Sequence, residues 1–334
     1  MTTIQDIADK MGVSKSTVSK ALNDAPDISD ALRKQVLETA VALGYTKLRR
    51  YKKPTKKSLY YNRKRKICGI RNRIIFAYDI LVGFRQMAEP AGFDVEIVPV
   101  DIKTQRNQHY DVFMLEHDYI GAFVVGFSLS DPWIQDFKIS RTPAVLFDNY
   151  IVGNPSTAYV GIDNEEGMEL AVSYLAGLGH RKIAYLSSSL GARVLQARHA
   201  AFLRSMHQHG LKTSPAAIGC SYYLSECMEK HLPRFLENGI TAIICNQDTL
   251  ASATLTQCQQ LGFQIPDDIS IIGFDDLPIA ACTSPPLTTI RQDRLELGKS
   301  GFFALSSLLN HIPISTYLLH AQLIQRESTG KVPS

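Results

Sequence analysis

Several features that would assign this chain to a common protein class are missing from its 334 residues. No apolar stretch approaches the ~20 residues that a membrane-spanning helix needs. The first residues do not resemble a signal peptide, because Asp6, Asp9 and Lys10 interrupt them. The glycine motifs that bind dinucleotides and nucleoside triphosphates are missing, so nucleotide binding has no support. We therefore expect a cytoplasmic protein with no membrane partner.

The sequence also lacks the motifs of metal and redox sites. None of the cysteines forms a Cys-x-x-Cys pair, and we expect reduced thiols that lie mostly in apolar segments. They are Cys68, Cys220, Cys227, Cys245, Cys258 and Cys282. No serine, histidine and aspartate order and no paired catalytic carboxylates stand out. The sequence therefore predicts no metal site, no cofactor and no enzyme activity.

Acidic residues are absent from one long stretch. Residues 1–76 contain 18 Lys and Arg against 6 Asp and Glu, which gives a net charge of +12. Residues 77–334 carry a net charge of −8, so the net charge of the whole chain is +4. Between Tyr45 and Phe76 there are 13 basic residues and no acid. Phosphate neutralisation and counterion release drive most non-specific DNA affinity, so this asymmetry indicates a nucleic-acid partner. A solvated linker is the alternative explanation for the basic run.

The first 23 residues predict two short helices separated by a turn. Ile4, Ile7, Ala8 and Met11 recur at the spacing of one helix face, and Thr3 is placed to cap that helix. The turn and the second helix use Gly12, Val13, the cap Ser14, and the apolar residues Val18, Ala21 and Leu22. A third helix is predicted over Asp30–Leu43, with Ser29 as its cap and Gly44 at its end.

The outer side of the second helix carries hydroxyl and lysine side chains and no acid. Such a face suits a helix in the DNA major groove. We expect Lys15, Ser16 and Lys20 to read base edges, whereas Thr17, Ser19 and Asn23 hold phosphates. The full set of predicted DNA-binding residues is Thr3, Ser14, Lys15, Ser16, Thr17, Ser19, Lys20, Asn23, Arg49 and Arg50.

This order of residues resembles the lactose/galactose repressor (LacI/GalR) family of transcriptional regulators. The resemblance rests on residues 4–8, 12–14, 16–23 and 43–45 of the head, and on 160–167, 178–184, 261–270, 273–276 and 285–292 of the body. It covers nearly the whole chain except residues 46–76. It implies a homodimer, a near-palindromic double-stranded DNA operator, and a small-molecule effector, usually a sugar, bound between two lobes.

Strands and helices alternate from residue 77 onward, which predicts doubly wound lobes with parallel sheets. The predicted fold is an N-terminal all-α helix-turn-helix head (1–46), a basic linker or hinge (47–76), and a periplasmic-binding-protein-like α/β core (77–334). Lobe 1 is predicted at about 66–148 plus 277–316, and lobe 2 at about 151–274 plus 317–330. The resemblance places the chain crossings near Asp148–Ile151, near Phe274–Leu277 and close to Tyr317.

Sugar recognition requires carboxylates, arginine and a flat apolar surface. The resemblance assigns Arg198 as the effector-binding arginine, with Arg193 on the same helix as the reserve. Asp248 matches the acid that follows a buried strand, although Gln247 stands where asparagine is common. The remaining predicted effector residues are Asp148, Phe274, Asp275 and Gln292. Each effector role has an alternative explanation. Asp248 and Arg198 could instead form surface ion pairs, Phe274 could pack in the core, and Asp275 could hold the hinge. Asp163 is expected to cap the helix that begins at Asn164.

Residues 46–76 depart from the family pattern. A hinge helix is expected there, but Pro54 would break it, and Leu48 and Leu59 are poor candidates for a minor-groove wedge. The expected apolar first strand is reduced to residues 67–70. Codons for residues 53–71 can be chosen so that the +1 frame reads NQPKSLCIIIENVKYAES, which contains an apolar strand. Two hypotheses therefore stand for residues 54–75: a genuine segment, or one translated in a shifted frame.

The sequence as a whole predicts a sequence-specific DNA-binding regulator, in particular a repressor of carbohydrate-use genes. Two alternatives remain. One is a sugar-binding protein that has lost specific DNA binding through a damaged hinge and first strand. The other is an α/β enzyme with a regulatory head, which would need a catalytic cluster that the sequence does not display.

Overall fold

The computed structural model describes residues 2–45, 56–62 and 71–333, with only the backbone described for 56–62 and 71–76. The predicted DNA contacts Arg49 and Arg50 lie outside the described residues. Within the described residues, no helix is both long and apolar enough to cross a membrane. The described His, Cys, Asp and Glu side chains form no group of three or more that could hold a metal ion.

The head consists of three helices whose ends follow the predicted caps. They are α1 (Ile4–Met11), α2 (Lys15–Leu22) and α3 (Asp30–Ala42). Thr3 and Asp6 form a reciprocal capping box on α1, while Ser14 and Ser29 cap α2 and α3. Gly12 adopts a φ of 68°, a left-handed conformation that glycine takes without strain, and so permits the tight turn between α1 and α2. The three-helix head predicted from the sequence is thus confirmed.

Lobe 1 contains a six-stranded sheet in the order β11-β5-β4-β3-β1-β2. In chain order its elements are β1 (Lys56–Asn62), α4 (Arg71–Ala88), β2 (Phe93–Val98), α5 (Ile102–Asn107), α6 (Tyr110–Glu116), β3 (Ala122–Val125), α7 (Trp133–Asp136), β4 (Ala144–Phe147) and β5 (Thr157–Ile162). An aromatic core that includes Tyr110, Phe113 and Trp133 fills one side of this sheet.

Lobe 2 repeats the arrangement in the order β12-β10-β9-β8-β6-β7. Its elements are α8 (Asn164–Gly177), β6 (Ile183–Ser187), α9 (Arg193–Gln208), β7 (Ile218–Cys220), α10 (Leu224–Glu226), a π-helical turn (Cys227–His231), α11 (Leu232–Glu237), β8 (Ala242–Cys245), α12 (Asp248–Gln260), β9 (Ser270–Asp275), α13 (Pro278–Cys282) and β10 (Thr288–Arg291). The chain continues with α14 (Arg294–Leu309), β11 (Thr316–Leu319) in the sheet of lobe 1, and β12 (Gln322–Ile324) in the sheet of lobe 2.

The shared strand order confirms the predicted pair of doubly wound lobes. The first five strands of each lobe stand in the order 2-1-3-4-5, with parallel pairing between neighbours. In such sheets, ligands bind at the carboxyl ends of the strands, where the strand order reverses. The topology therefore directs attention to the ends of β6 and β8 in lobe 2.

The first strand of lobe 1 differs from the sequence prediction. It was expected at residues 67–70, which lie outside the described residues, but β1 occupies Lys56–Asn62 and pairs in parallel with β2 and β3. Helix α4 begins at Arg71, before residue 77, from which the sequence predicts alternating strands and helices. The predicted linker 47–76 therefore includes two parts of lobe 1, the strand β1 and the start of α4. The prediction failed because a central parallel strand is normally rich in Val, Ile and Leu, and this one is not.

Two of the three predicted chain crossings are also wrong. Strand β5 pairs with β4 in lobe 1, so the first crossing follows Ile162 and does not lie at Asp148–Ile151. Strand β10 pairs with β9 in lobe 2, so the second crossing follows Arg291 and not Phe274–Leu277. Apolar strands can be recognised in the sequence, but the sheet that each one joins depends on tertiary pairing. The third crossing, between β11 and β12, comes just after the expected Tyr317.

Candidate DNA-binding face and lobe 2 polar cluster

Helix α2 carries an outer face of hydroxyl and lysine side chains, all exposed or half-buried, which we call the reading face: Lys15, Ser16, Thr17, Ser19 and Lys20. Its opposite side is anchored by Val18, which is fully buried in the head core. The Ser14 hydroxyl accepts a hydrogen bond from the Thr17 backbone N–H at 3.1 Å. The same hydroxyl oxygen lies 2.7 Å from Ser16 Oγ and 2.8 Å from Thr17 Oγ1. The amino-terminal end of α2 therefore carries an ordered group of hydroxyls. In helix-turn-helix proteins, the amino-terminal residues of the recognition helix contact base edges.

The two lysines of the reading face have different surroundings. Lys15 is exposed on the first turn of α2. Lys20 forms an exposed ion pair with Asp27, an acid in the loop between α2 and α3. The hydrogen bond from Lys20 holds the pKa of the Asp27 carboxyl below its usual value. Asp27 was missed by sequence reasoning, since its contact with Lys20 requires the chain to fold back at the end of α2.

Two other predicted DNA contacts also stabilise the helix ends. Thr3 shares its hydroxyl and backbone N–H with Asp6 in the α1 capping box. The Asn23 amide donates to the Ser19 carbonyl oxygen at 2.8 Å and closes the last turn of α2. Both residues are exposed. Their side chains can therefore exchange these local bonds for phosphate contacts, which remains a prediction.

A buried network in lobe 2 centres on Arg198 of α9, which is 3% exposed. Its Nε donates to Asn164 Oδ1 at 2.8 Å, and its Nη1 donates to the Asn246 carbonyl oxygen at 2.8 Å. Nη1 also lies 3.6 Å from Asp275 Oδ1. The guanidinium carbon lies 3.6 Å from the centre of the Phe274 ring. Arg198 therefore joins residues that follow β5 and β8 to the last residue of β9, and its contact with an effector stays a prediction.

Gln292 completes this group, which we call the lobe 2 polar cluster: Asn164, Arg198, Asn246, Phe274, Asp275 and Gln292. The Gln292 amide donates to Asp275 Oδ1 at 2.5 Å. Burial raises the pKa of the Asp275 carboxyl, whereas Arg198 and Gln292 act in the opposite direction. Asp275 has a φ of 111°, which is strained for a residue with a side chain. A strained, paired carboxylate at the end of β9 is chemically suited to accept hydrogen bonds from ligand hydroxyls.

Asp248 lies beside the cluster, but its carboxylate is bonded within the protein interior. Its side chain is fully buried, with Oδ2 accepting from the Leu277 backbone N–H and Oδ1 from the Thr289 hydroxyl, each at 2.6 Å. Burial, together with the charge of Asp275, raises the pKa of Asp248 well above its usual value. The geometry supports a positioning role, because Asp248 ties the segment after β9 to α12. It does not support direct contact between Asp248 and an effector.

Besides Asp248, two more of the predicted effector residues lie outside the cluster. Arg193 is exposed at the first position of α9. Asp148 is half-buried after β4 in lobe 1, where it adopts a φ of 68°. Sequence reasoning did not select Asn164 and Asn246 as site residues. Asn246 follows β8 directly, and Asn164 comes two residues after the end of β5, which is the signal that could have identified them.

The predicted cap of α8 is confirmed. Asp163 accepts hydrogen bonds from the Glu165 and Glu166 backbone N–H groups. Asp163 therefore fixes the start of the helix that carries Asn164 into the lobe 2 polar cluster.

Comparison with known proteins gives two matches to family models. Residues 3–47 match the family model described as bacterial regulatory proteins, lacI family, and residues 172–329 match the periplasmic binding protein-like domain. The HTH-type transcriptional repressor PurR of Aliivibrio salmonicida is 28% identical over 342 aligned positions, which cover 99% of this chain and 100% of PurR. The HTH-type transcriptional repressor CytR of Escherichia coli K12 is 27% identical, with 99% and 97% coverage.

Structural comparison agrees with the sequence matches. A solved complex of the transcriptional regulator CelR with cellobiose has a TM-score of 0.70 at 22% identity, and the match covers 98% of this chain and 100% of that one. At this identity the likeness establishes the fold. The family models, the full-length relatives and the shared fold agree: this chain combines a DNA-binding head of the lacI family of bacterial regulatory proteins with a periplasmic-binding-protein-like domain.

Proposed function

We propose that this protein is a sequence-specific DNA-binding regulator of transcription that acts as a repressor and responds to a small effector. The observation that carries the proposal is the reading face of α2. It combines accessible lysines and hydroxyls, has no acid of its own, and rests on a fully buried core residue. The full-length relatives PurR and CytR are HTH-type transcriptional repressors. A regulator of bacterial genes acts where the DNA is, in the cytoplasm.

The working form that we propose is a homodimer on a near-palindromic operator. One head supplies one reading helix and therefore contacts one half-site, whereas two-fold protein symmetry matches a two-fold DNA site. Lobe 2 exposes large apolar side chains, including Tyr222, Tyr223, Leu224 and Leu261, each at least 50% exposed. Apolar surface of this kind favours association with another protein surface.

The chemistry of lobe 2 favours an uncharged, hydroxyl-rich effector such as a sugar. The positive charge of Arg198 is already matched by Asp275, so this pair brings no surplus charge to the cluster. The amide of Gln292 and the carboxylate of Asp275 are suited to ligand hydroxyls. CelR was solved with cellobiose, and its fold is shared by this chain. Carbohydrate-use genes are the corresponding proposed targets.

Selection from a random DNA library tests the DNA-binding proposal directly. The intact protein is incubated with random duplexes long enough to hold two half-sites, and bound sequences are amplified and read. We expect enrichment of one motif with two-fold symmetry. Failure to enrich any motif, with the protein folded and dimeric, would contradict the proposal. Thermal unfolding in the presence of neutral mono- and disaccharides tests the effector class, because a ligand that binds the native state raises Tm.

A second candidate is a sugar-binding protein without specific DNA affinity. The composition of residues 46–76 favours it, since Pro54 interrupts the stretch where the family has a hinge helix. This candidate predicts a Tm increase with a sugar but no enriched DNA motif. Enzyme activity has no comparable support, because the family is one of transcriptional regulators.

A further inference from the structure

Helix α6 of lobe 1 has two apolar faces that contact different neighbours. Tyr110, Phe113 and Met114 belong to the aromatic core of lobe 1. Val112 belongs instead to the apolar cluster of the head, and Leu115 packs against that same cluster. The spacing of Val112 and Leu115, three residues apart, places both on one side of the helix. This second face of α6 would be an exposed apolar patch on lobe 1 if the head did not cover it.

Helix α3 of the head covers this face. Val112 is only 6% exposed, which shows that the contact excludes water. Val36, Leu37 and Ala40 of α3 are buried in the shared cluster, and α3 and α6 are in direct contact. Burial of apolar surface stabilises such a contact without any directional bond.

A second contact joins the end of the head to the same lobe. The guanidinium of Arg141 lies against Gly44, so close that a side-chain carbon at Gly44 would overlap it. Arg141 is itself fixed by α6, because the Arg141 and Thr142 backbone N–H groups donate to the two Asp111 carboxylate oxygens at 3.0 Å each. The loop that carries Arg141 and the helix that carries the apolar face are therefore held together.

We propose that the face formed by Val112, Leu115 and Arg141 is a docking surface for the head of the same chain, and that this docking sets the orientation of the reading face. Docking through α3 holds the head against lobe 1 by apolar contacts between described residues. It also leaves Lys15, Ser16 and Lys20 of α2 exposed for DNA.

The docking of the head does not depend on the proposed function. The effect of docking on operator affinity does rest on the proposed function. A released head can adopt many orientations, and specific binding must then fix one of them. The lost orientational freedom costs binding free energy. Non-specific binding depends on total charge and salt more than on orientation. Loss of docking should therefore lower specific affinity more than non-specific affinity.

The test uses the full chain with the double substitution Val112→Lys/Leu115→Lys. The matched control is Ile139→Lys/Val152→Lys, which adds the same two charges in place of apolar side chains of lobe 1 that are already 73% and 67% exposed. Hydrogen exchange followed by mass spectrometry reports on α3 and α6. We expect faster exchange in both helices for the docking variant and no change for the control. The β6 and β8 peptides of lobe 2 should be unaffected in both proteins.

Operator affinity is measured on the same proteins. We expect the docking variant to lose about 10-fold or more in specific affinity, with non-specific affinity retained because the added lysines do not remove positive charge. Arg141→Ala, which truncates an exposed side chain and should leave lobe 1 folded, is expected to cause a smaller loss in the same direction.

Each outcome decides one part of the proposal. Unchanged exchange in α3 and α6 would overturn the docking. Faster exchange with unchanged specific affinity, in either the docking variant or Arg141→Ala, would overturn the orienting role. If the unsubstituted protein enriches no DNA motif, the proposed function fails, while the exchange result still decides whether the head docks.

Discussion

The reading face of α2 and the lobe 2 polar cluster use similar side chains in opposite ways. On the reading face the polar groups are accessible, and their hydrogen bonds shown by the structure are local to the head. In lobe 2, Arg198 is buried and bonded to groups from three different segments. An accessible face can change its partners at little cost to the fold, whereas a buried network couples ligand binding to stability. The two regions should therefore respond differently to substitution.

The largest expected effect is on stability, from Arg198→Ala in lobe 2. The change leaves Asp275 buried without its guanidinium, and breaking a buried ion pair costs roughly 3 kcal/mol or more. Chemical denaturation should show a lower free energy of unfolding. Arg193→Ala, on the exposed start of the same helix, is the control and should leave stability within about 0.5 kcal/mol. Equal stability of the two variants would mean that the buried pair is not a structural junction.

The next effect concerns DNA and should leave stability nearly untouched. Lys15→Ala/Ser16→Ala removes two predicted base contacts, each worth about 1–3 kcal/mol of discrimination. Specific operator affinity should fall about 100-fold or more, with sugar binding and Tm unchanged. Lys10→Ala removes an exposed charge from α1 and serves as the control for charge alone. If Lys10→Ala weakened specific binding as much, the reading face would have no special role.

A smaller effect in the opposite direction is expected at Asp27. Its carboxylate holds Lys20 and places negative charge beside the proposed groove contact. Asp27→Asn should raise DNA affinity by about 2- to 10-fold and steepen the salt dependence, since one more cation can contact phosphate. Asp9→Asn removes the same charge from an exposed site on α1. Affinity that rises equally in both variants would show a general charge effect and not the release of Lys20.

The smallest expected effect is a pH dependence in lobe 2. His180 is buried between Thr241 and the Gly330 carbonyl oxygen, and burial lowers its pKa from the usual 6.5. The unfolded chain then binds a proton at a higher pH than the folded chain does. Stability that is fully present above pH 6.5 is therefore lost as the pH falls toward the folded-state pKa.

His180→Gln tests this dependence. The variant should be less stable than the parent at pH 7.5, but its free energy of unfolding should fall less between pH 7 and pH 5.5. Parallel pH profiles for the two proteins would mean that His180 does not contribute to the slope.

Local rules made the head predictable from the sequence. The caps Thr3, Ser14 and Ser29 and the turn at Gly12 act within a few residues, so periodicity and capping were sufficient. The contact of α3 with α6 depends on packing between distant segments, and the ion pair of Lys20 with Asp27 depends on the path of a loop. Propensity and spacing contain no information on such contacts.

The two lobes show why the first strand was misplaced. Strands β1 and β6 occupy the same place in the 2-1-3-4-5 order of their sheets. The strand β6, Ile183–Ser187, is mostly apolar and buried throughout, whereas β1, Lys56–Asn62, begins with two lysines. Strand β1 is defined by its pairing with β2 and β3, which no local pattern displays. The shifted-frame hypothesis for residues 54–75 stays a prediction, and coding DNA that cannot give the apolar +1 reading would contradict it.

The most direct test is a titration of the full chain against a labelled fragment of its own upstream DNA. A scrambled fragment of equal length and composition serves as competitor, at about 50 and 200 mM salt. We expect a complex that survives excess scrambled DNA at both salt concentrations, with a preference of about 1,000-fold or more for the operator, as specific DNA-binding proteins show. Equal affinity for both fragments, lost steeply with salt, would contradict it and leave the basic segment acting only as a polycation.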